Sequence, residues 1–353
     1  MKKKLMKGSE VLGASAIKAG CLHFFGYPIT PQNEIPEYMS KELPKIGGIF
    51  VQAESEVAAI NMVYGSASTG VRCMTSSSSP GIALKQEGIA YCCGAELPCV
   101  IGSVSRGGPG LGSIQPAQSD YFQATRGGGN GDYRVIVYAP YNLQELSDLT
   151  QKAFYLADKY RNPVMILIDG TIAQMMEGVE IKDIPFPVID KSNWAVTGKK
   201  GRKERHIITS IYLDTDTCEN HNHKLFQKYA EIEKNEVEAE LYLVDDAEII
   251  IASYGTSARI VKNAINDLRK KGIKAGMIRP ITLWPFPYNA FKNIPECCKA
   301  VMSVELSMGQ MIQDVKLGVN GKYQVGFYGR CGGNLFDSKE VITAIEKYYK
   351  EVK

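Results

Sequence analysis

Four short segments carry the residue types that could hold a small anion or move a proton: Gly26-Tyr27-Pro28-Ile29-Thr30-Pro31, Glu54, Ser76-Ser77-Ser78-Ser79-Pro80-Gly81 and Arg106-Gly107-Gly108-Pro109-Gly110. Glu54 has mostly apolar neighbours (Val51, Ala53, Val57, Ala58, Ala59, Ile60), a setting that predicts a partly buried carboxylate with raised proton affinity. The same residue also reads as a surface glutamate at a helix start. Arg106 opens a stretch, residues 102–131, that contains nine of the 34 glycines, together with Gln115, Asp120, Tyr121 and Arg126. Such a density implies a backbone that turns tightly or lets another molecule approach, and an arginine fork suits a carboxylate or phosphate. A mobile surface loop fits the glycines as well. The serine run predicts either a nest of backbone donors at a helix start or an N-cap with a tight turn.

Several other chemistries fail on position or spacing. Gly108-Pro109-Gly110-Leu111-Gly112 approaches a dinucleotide fingerprint, but it follows a later strand and precedes Pro116 instead of opening a helix. No Gly-x-Ser-x-Gly elbow accompanies the serines, and the four histidines (23, 206, 221, 223) offer no evident base. His221 and His223 with Cys218 and Glu219 resemble a metal cluster only superficially, for no fourth ligand stands at a standard spacing.

The elements that must position these residues follow a βαβ rhythm. Strand-like runs at 49–52, 72–75, 99–105, 135–138 and 164–168 alternate with helix-like ones at 9–19, 56–64, 82–92 and 143–160. Crossover handedness then puts helices on both faces of an open, mainly parallel sheet. Each of the four segments falls just past a strand, on the rim where α/β proteins bind ligands. Residues 177–244 lose the rhythm and read as a connector with a charged surface helix at 225–240. The rhythm resumes at 248–252, 257–271, 275–278, 300–304, 323–328 and 338–349, which predicts a second, smaller α/β domain. The expected division is therefore 1–176, 177–244 and 245–353.

A chain of 353 residues, 44% hydrophobic and 22% charged, is long enough for two cores and too apolar for disorder. Its net charge of +3 builds no field for nucleic acid, and no apolar run is long enough to span a bilayer. The nine cysteines (21, 73, 92, 93, 99, 218, 297, 298, 331) include no C-x-x-C, so no cluster frame or zinc ribbon is expected and no metal ligand is assigned. Their odd number and adjacent pairs suit a reducing cytoplasm.

Taken in order, Tyr27-Pro28-Ile29-Thr30-Pro31, Gln52-Ala53-Glu54-Ser55-Glu56, residues 75–81 and Arg106-Gly-Gly-Pro-Gly resemble the α subunits of the 2-oxoacid:ferredoxin oxidoreductases. Residues 279–287 (RPITLWPFP) and 304–311 (VELSMGQM) resemble the same family's second domain. The branched-chain, 2-ketoisovalerate type is the nearest match. The resemblance implies a thiamine diphosphate pyrimidine-binding domain followed by a transketolase C-terminal-like domain. It also implies CoA-dependent oxidative decarboxylation of a 2-oxoacid to acyl-CoA and CO2, with ferredoxin reduced.

On that resemblance Glu54 matches the glutamate that hydrogen-bonds N1′ of the aminopyrimidine, and Thr30 and Arg106 match positions that hold the substrate carboxylate. Pro28, Ile29, Glu54 and Ser77 are the expected cofactor contacts. Gly131-Asp132-Tyr133 breaks the Gly-Asp-Gly motif that carries Mg2+ and diphosphate in thiamine enzymes. Those groups are therefore expected on a β subunit, and the [4Fe-4S] clusters on other partners, with γ and ferredoxin-like δ subunits completing the complex. A 2-oxoglutarate-specific α subunit, a non-catalytic assembly subunit and a nucleotide-dependent dehydrogenase remain as alternatives.

Overall fold

The computed structural model describes residues 3–352; Met1, Lys2 and Lys353, at the outer ends of the first and last expected segments, lie outside the described residues. The chain opens with β1 (Lys4–Lys7) and α1 (Gly8–Lys18), then alternates β2 (His23–Gly26), α2 (Glu34–Glu42), β3 (Ile49–Gln52), α3 (Glu56–Ser68), β4 (Cys73–Ser78), α4 (Ser79–Gly94) and β5 (Val100–Ser105). There follow α5 (Tyr121–Arg126), β6 (Ile136–Tyr138), α6 (Leu143–Tyr160), β7 (Val164–Asp169), α7 (Gly170–Gln174) and β8 (Met176–Val179). The long helix α8 (Thr215–Asn235) leads to β9 (Ala239–Tyr242), β10 (Ile249–Ala252), α9 (Gly255–Lys270), β11 (Ala275–Pro280), β12 (Thr282–Trp284) and α10 (Tyr288–Lys292). The chain closes with β13 (Ala300–Glu305), α11 (Met311–Val319), β14 (Val325–Gly329) and α12 (Ser338–Val352).

Two sheets carry the fold. The first has seven strands in the order β12-β6-β7-β5-β4-β2-β3, parallel throughout except for β12. The second has five, β14-β13-β10-β11-β9, parallel except for β9. Central strands β5, β7, β10 and β13 are buried at every residue, as strands covered on both faces must be. The helices start where their caps allow: Ser55 Oγ accepts the Ala58 amide at 3.1 Å, and Asn142 Oδ1 accepts the Glu145 amide at 2.8 Å. The mainly parallel two-domain α/β architecture is thus as expected, and α6 keeps its expected bounds.

Sheet membership crosses the expected segments. β12, from the carboxyl-terminal part, pairs antiparallel with β6 at the edge of the first sheet. Residues 177–244 contribute β8, which pairs with β1, and β9, the edge of the second sheet. Within them α8 buries Leu225, Tyr229 and Ile232, Lys191 pairs with Asp158 at 2.5 Å, and Lys228 lies 3.5 Å from Glu96. Arg279 on β11 joins the domains, gripping Glu145 of α6 at 3.0 and 2.8 Å and Glu240 of β9 at 2.7 Å. Among the described residues no helix is long and apolar enough to cross a membrane.

Candidate functional site

The carboxyl ends of β2, β3, β4 and β5 stand side by side, with Gly26 opposite Gln52 and Ser78 opposite Val104. The loops after them therefore share one rim. The serine run departs from expectation: Ser76, Ser77 and Ser78 continue β4, and Ser79 begins α4. All four are buried, and Ser76, Ser77 and Ser78 pair with Gly102, Ser103 and Val104 of β5.

Glu54 also differs from expectation. It is exposed, while Glu56, two residues on, is 6% exposed. Of the apolar neighbours that suggested a buried Glu54, Ala53, Ala59 and Ile60 are buried but Val57 is exposed, and Glu54 itself lies in the turn between β3 and α3, before Ser55 caps the helix. Helix phase decides which glutamate goes inside: Glu56, Ala59, Ile60, Val63 and Ala67 form the buried stripe of α3. That spacing was readable in the sequence and marks the residue that reasoning from neighbours alone passes over.

Glu56 meets α4 at Gly81. A Cβ on Gly81 would fall 2.1 Å from Ser77 Oγ and 2.6 Å from Glu56 Oε1, so only glycine lets these two groups occupy their places. Ser77 Oγ is buried and has no hydrogen-bond partner. One turn beyond Gly81, the fully buried Lys85 sends Nζ to Thr75 Oγ1 at 3.0 Å and the Ser76 carbonyl at 3.2 Å. Burial pulls this ammonium down to about 8, against the opposing pull of Glu56. The Ser76 hydroxyl donates to Gln32 Oε1 at 2.5 Å, and Gln32 Nε2 donates to the Tyr27 carbonyl at 3.2 Å, which ties the first rim loop to β4.

Arg106 is buried and already engaged. Its Nη1 donates to the Thr30 carbonyl at 2.9 Å and its Nη2 to the Leu111 carbonyl at 3.0 Å, while Nε has no partner. Ser79 Oγ accepts the Arg106 amide at 2.9 Å and donates to Asp120 Oδ2 at 2.5 Å. Burial pushes the Asp120 carboxyl up, and the Ser79 hydrogen bond opposes it. Arg106 and Thr30 are thereby brought together as expected of a shared site, through the Thr30 backbone. Pro28 and Thr30 are exposed and Ile29 half-buried, so the outer face of their loop is open. Thr30 lines a cleft of about 740 Å³ with Pro31, Asn33, Ile114, Pro116 and Met175.

Away from the rim, His221 Nε2 lies 2.7 Å from the Gly94 carbonyl, and His223 sits 3.7 Å from Glu219 on exposed helix surface. Among the described residues no group of three or more His, Cys, Asp and Glu side chains is placed to hold a metal ion. All nine cysteines are free.

Residues 14–240 match the thiamine diphosphate-binding family described as pyruvate flavodoxin/ferredoxin oxidoreductase, and residues 247–341 match pyruvate:ferredoxin oxidoreductase core domain II. The chain belongs to this oxidoreductase family. Within it, the chain is 48% identical over 347 residues to the ketoisovalerate oxidoreductase subunit VorB of Methanothermobacter marburgensis, covering 98% of both chains. It is 35% identical to the 2-oxoglutarate synthase subunit KorA of Methanocaldococcus jannaschii, covering 98% of this chain and all of that one. Among solved structures, the 2-oxoglutarate:ferredoxin oxidoreductase of Magnetococcus marinus, determined with 2-oxoglutarate, coenzyme A and succinyl-CoA bound, superposes with a TM-score of 0.87 at 27% identity. That likeness covers 99% of this chain and 65% of the other, so the present chain spans just under two thirds of its length. Membership bears out the family resemblance, and the matched domain is a thiamine diphosphate-binding one.

The rim fits the aminopyrimidine half of that cofactor. Buried Glu56 and the unpartnered buried hydroxyl of Ser77 close together on Gly81, where a Cβ would fall 2.6 and 2.1 Å from them. Groups left without a partner inside a protein are costly unless a ligand satisfies them.

Proposed function

We propose that the chain is the α subunit of a thiamine diphosphate-dependent 2-oxoacid:ferredoxin oxidoreductase that converts a branched-chain 2-oxoacid, 3-methyl-2-oxobutanoate, to acyl-CoA and CO2 with reduction of ferredoxin. Thiamine diphosphate, when bound, supplies the carbanion that attacks the keto carbon. Glu56 is the chain's carboxyl group at the aminopyrimidine, where it holds or gives the proton at N1′; burial beside Gly81 keeps water from competing for it. Ser77 offers a hydroxyl to the same ring, and Pro28 and Ile29 flank it on the neighbouring loop. Arg106 and Thr30 orient the substrate carboxylate, Arg106 through its unpartnered Nε–H. Mg2+ and the diphosphate are assigned to a β subunit on the broken motif at Gly131-Asp132-Tyr133, and the [4Fe-4S] clusters to γ and δ partners.

The observation that carries the chemistry is the pairing of buried Glu56 with unpartnered Ser77 on the rim of a thiamine diphosphate-binding domain. One observation favours a branched-chain substrate over 2-oxoglutarate: identity is higher to the ketoisovalerate subunit than to the 2-oxoglutarate one.

Glu56→Gln in the reconstituted complex tests the reading. Viologen reduction driven by 2-oxoacid should fall by about 10²–10⁴-fold, the range lost with a general acid–base group, while assembly is retained. Unchanged turnover overturns the assignment. Relative kcat/KM for 3-methyl-2-oxobutanoate, pyruvate and 2-oxoglutarate on the same complex decides the substrate.

A further inference from the structure

The loop that begins at Arg106 has little of its own to aim the arginine with. Residues 107–112 hold four glycines, of which Gly110 and Gly112 take positive φ, and Leu111, whose carbonyl accepts Arg106 Nη2, is 81% exposed. What holds the loop is the stretch that follows it. Arg106 bridges Pro116 antiparallel, and the Gly107 amide donates to the Gln115 carbonyl at 3.0 Å, which closes the loop at its base. Just beyond, Ser119 Oγ donates to the Arg106 carbonyl at 3.4 Å, and Asp120 accepts the hydroxyl of Ser79, which accepts the Arg106 amide. Both backbone groups of Arg106 are thus tied, directly or through Ser79, to residues 119–120.

Those residues are held in turn by the domain of the second sheet. Buried Gln118 donates its amide to the Leu306 carbonyl at 2.8 Å and Nε2 to the Tyr254 carbonyl at 2.8 Å. Its Oε1 accepts the Leu306 amide at 3.0 Å and the Ser257 hydroxyl at 2.9 Å, and its carbonyl accepts the Tyr254 hydroxyl at 3.2 Å. Gly255, at φ +52°, leaves room for this side chain, since a Cβ there would fall 3.0 Å from Nε2. Gln310 adds a clasp, with Nε2 donating to the Ser119 carbonyl at 2.7 Å and Oε1 accepting the Phe122 amide at 2.8 Å. Apolar side chains could seal such a seam, but they tolerate repacking; a buried, fully connected polar network fixes one arrangement.

We propose that Gln118 is a positioning residue for Arg106: by locking residues 116–120 onto the second domain, it sets the direction in which the guanidinium meets the substrate carboxylate. The inference rests on Arg106 being that carboxylate's ligand. A guanidinium bonds a carboxylate in a fixed plane, so a small shift at the base of the loop is paid in alignment with the substrate. The second domain thereby takes part in substrate recognition without touching the substrate.

A double-mutant cycle in the reconstituted complex tests this, read as kcat/KM for 3-methyl-2-oxobutanoate. Arg106→Met should lower it about 10–100-fold, the loss expected when a charged hydrogen-bond partner is removed. Gln118→Leu, which fills the seam but drops the three side-chain bonds, should lower it about tenfold through misalignment alone. The deciding measurement is the double variant. If Gln118 acts through Arg106, adding Gln118→Leu to Arg106→Met costs nothing further, whereas a residue that only holds the protein together costs the same factor in both backgrounds. Should Gln118→Leu fail to assemble, Gln310→Leu, at a half-buried position, removes the bonds to Ser119 and Phe122 and carries the same expectations. Equal losses in the two backgrounds, or an unchanged kcat/KM in the single variant, overturn the role of Gln118 alone. An unchanged kcat/KM in Arg106→Met overturns the reading of Arg106 itself and this inference with it, so the two failures are distinct.

Discussion

The two domains each place a buried glutamate at the carboxyl edge of a parallel sheet where a helix begins, and they treat it in opposite ways. Glu305, at the end of β13, is saturated. It accepts the amides of Gln310, Met311 and Ile312 at 3.0, 2.9 and 2.9 Å and the hydroxyls of Ser303 and Ser307 at 2.8 and 2.9 Å. It closes the amino terminus of α11 and leaves that edge nothing to offer a ligand. Near Glu56 the Ser77 hydroxyl has no partner, and only the missing Cβ of Gly81 lets the two groups keep their places. A carboxylate with five donors serves folding; one beside an unpartnered hydroxyl is the one proposed to meet a ligand. Equal burial therefore carries two meanings, and the hydrogen-bond partners separate them.

Glu305→Ala breaks the comparison from the folding side. Three helix amides and two hydroxyls lose their acceptor inside the protein, and a loss of about 3–5 kcal/mol is expected from several unmet donors, two or more of them formerly bonded to charge. Denaturant melts of the chain should show it as a lower midpoint with α11 affected first. A melt matching that of the natural chain would mean that water replaces all five bonds.

The contrast also shows what the sequence could convey. The parallel rhythm was legible because β5, β7, β10 and β13 are runs of apolar and small residues, and α6 because Asn142 caps a strongly amphipathic stretch. The rim was legible because Pro28, Thr30, Gly81 and Arg106 stand where strands end. The Ser76–Ser78 portion of β4 was not, since serine favours turns and only pairing with β5, distant in sequence, makes it a strand. Nor was the pairing of β12 with β6, which joins residues 282–284 to 137–138 across the whole of 177–244 and leaves no local trace. Glu56 was legible in principle, through the spacing it shares with Ala59, Ile60, Val63 and Ala67. Gln32 and Asp120 acquire their roles only from partners distant in sequence.

Gly81→Ala sharpens the comparison at the open glutamate. Gly81 is not among the glycines of positive φ, so alanine meets no backbone penalty and the whole effect comes from its Cβ against Ser77 and Glu56. Overpacking of this kind costs about 1–3 kcal/mol. With Ser77 and Glu56 as the proposed cofactor contacts, the apparent affinity of the complex for thiamine diphosphate should weaken by about tenfold or more, a larger proportional change than the shift in melting temperature. Equal affinity in a normally assembled complex would place the ring elsewhere.

The smallest effect is expected at Glu54, and that smallness is informative. Glu54 and Glu56 share a motif, a charge and a rim, and differ in which side of the Ser55 cap they fall on. Exposed to solvent, a Glu54 carboxylate is well hydrated, and its removal leaves no buried group unpaired. Glu54→Gln in the reconstituted complex should therefore change turnover by less than about threefold, within the ±0.5 kcal/mol typical of exposed positions, while Glu56→Gln abolishes most of it. Should Glu54→Gln prove the more damaging, a partner subunit must bury Glu54 on assembly, and the division drawn from burial in this chain would reverse.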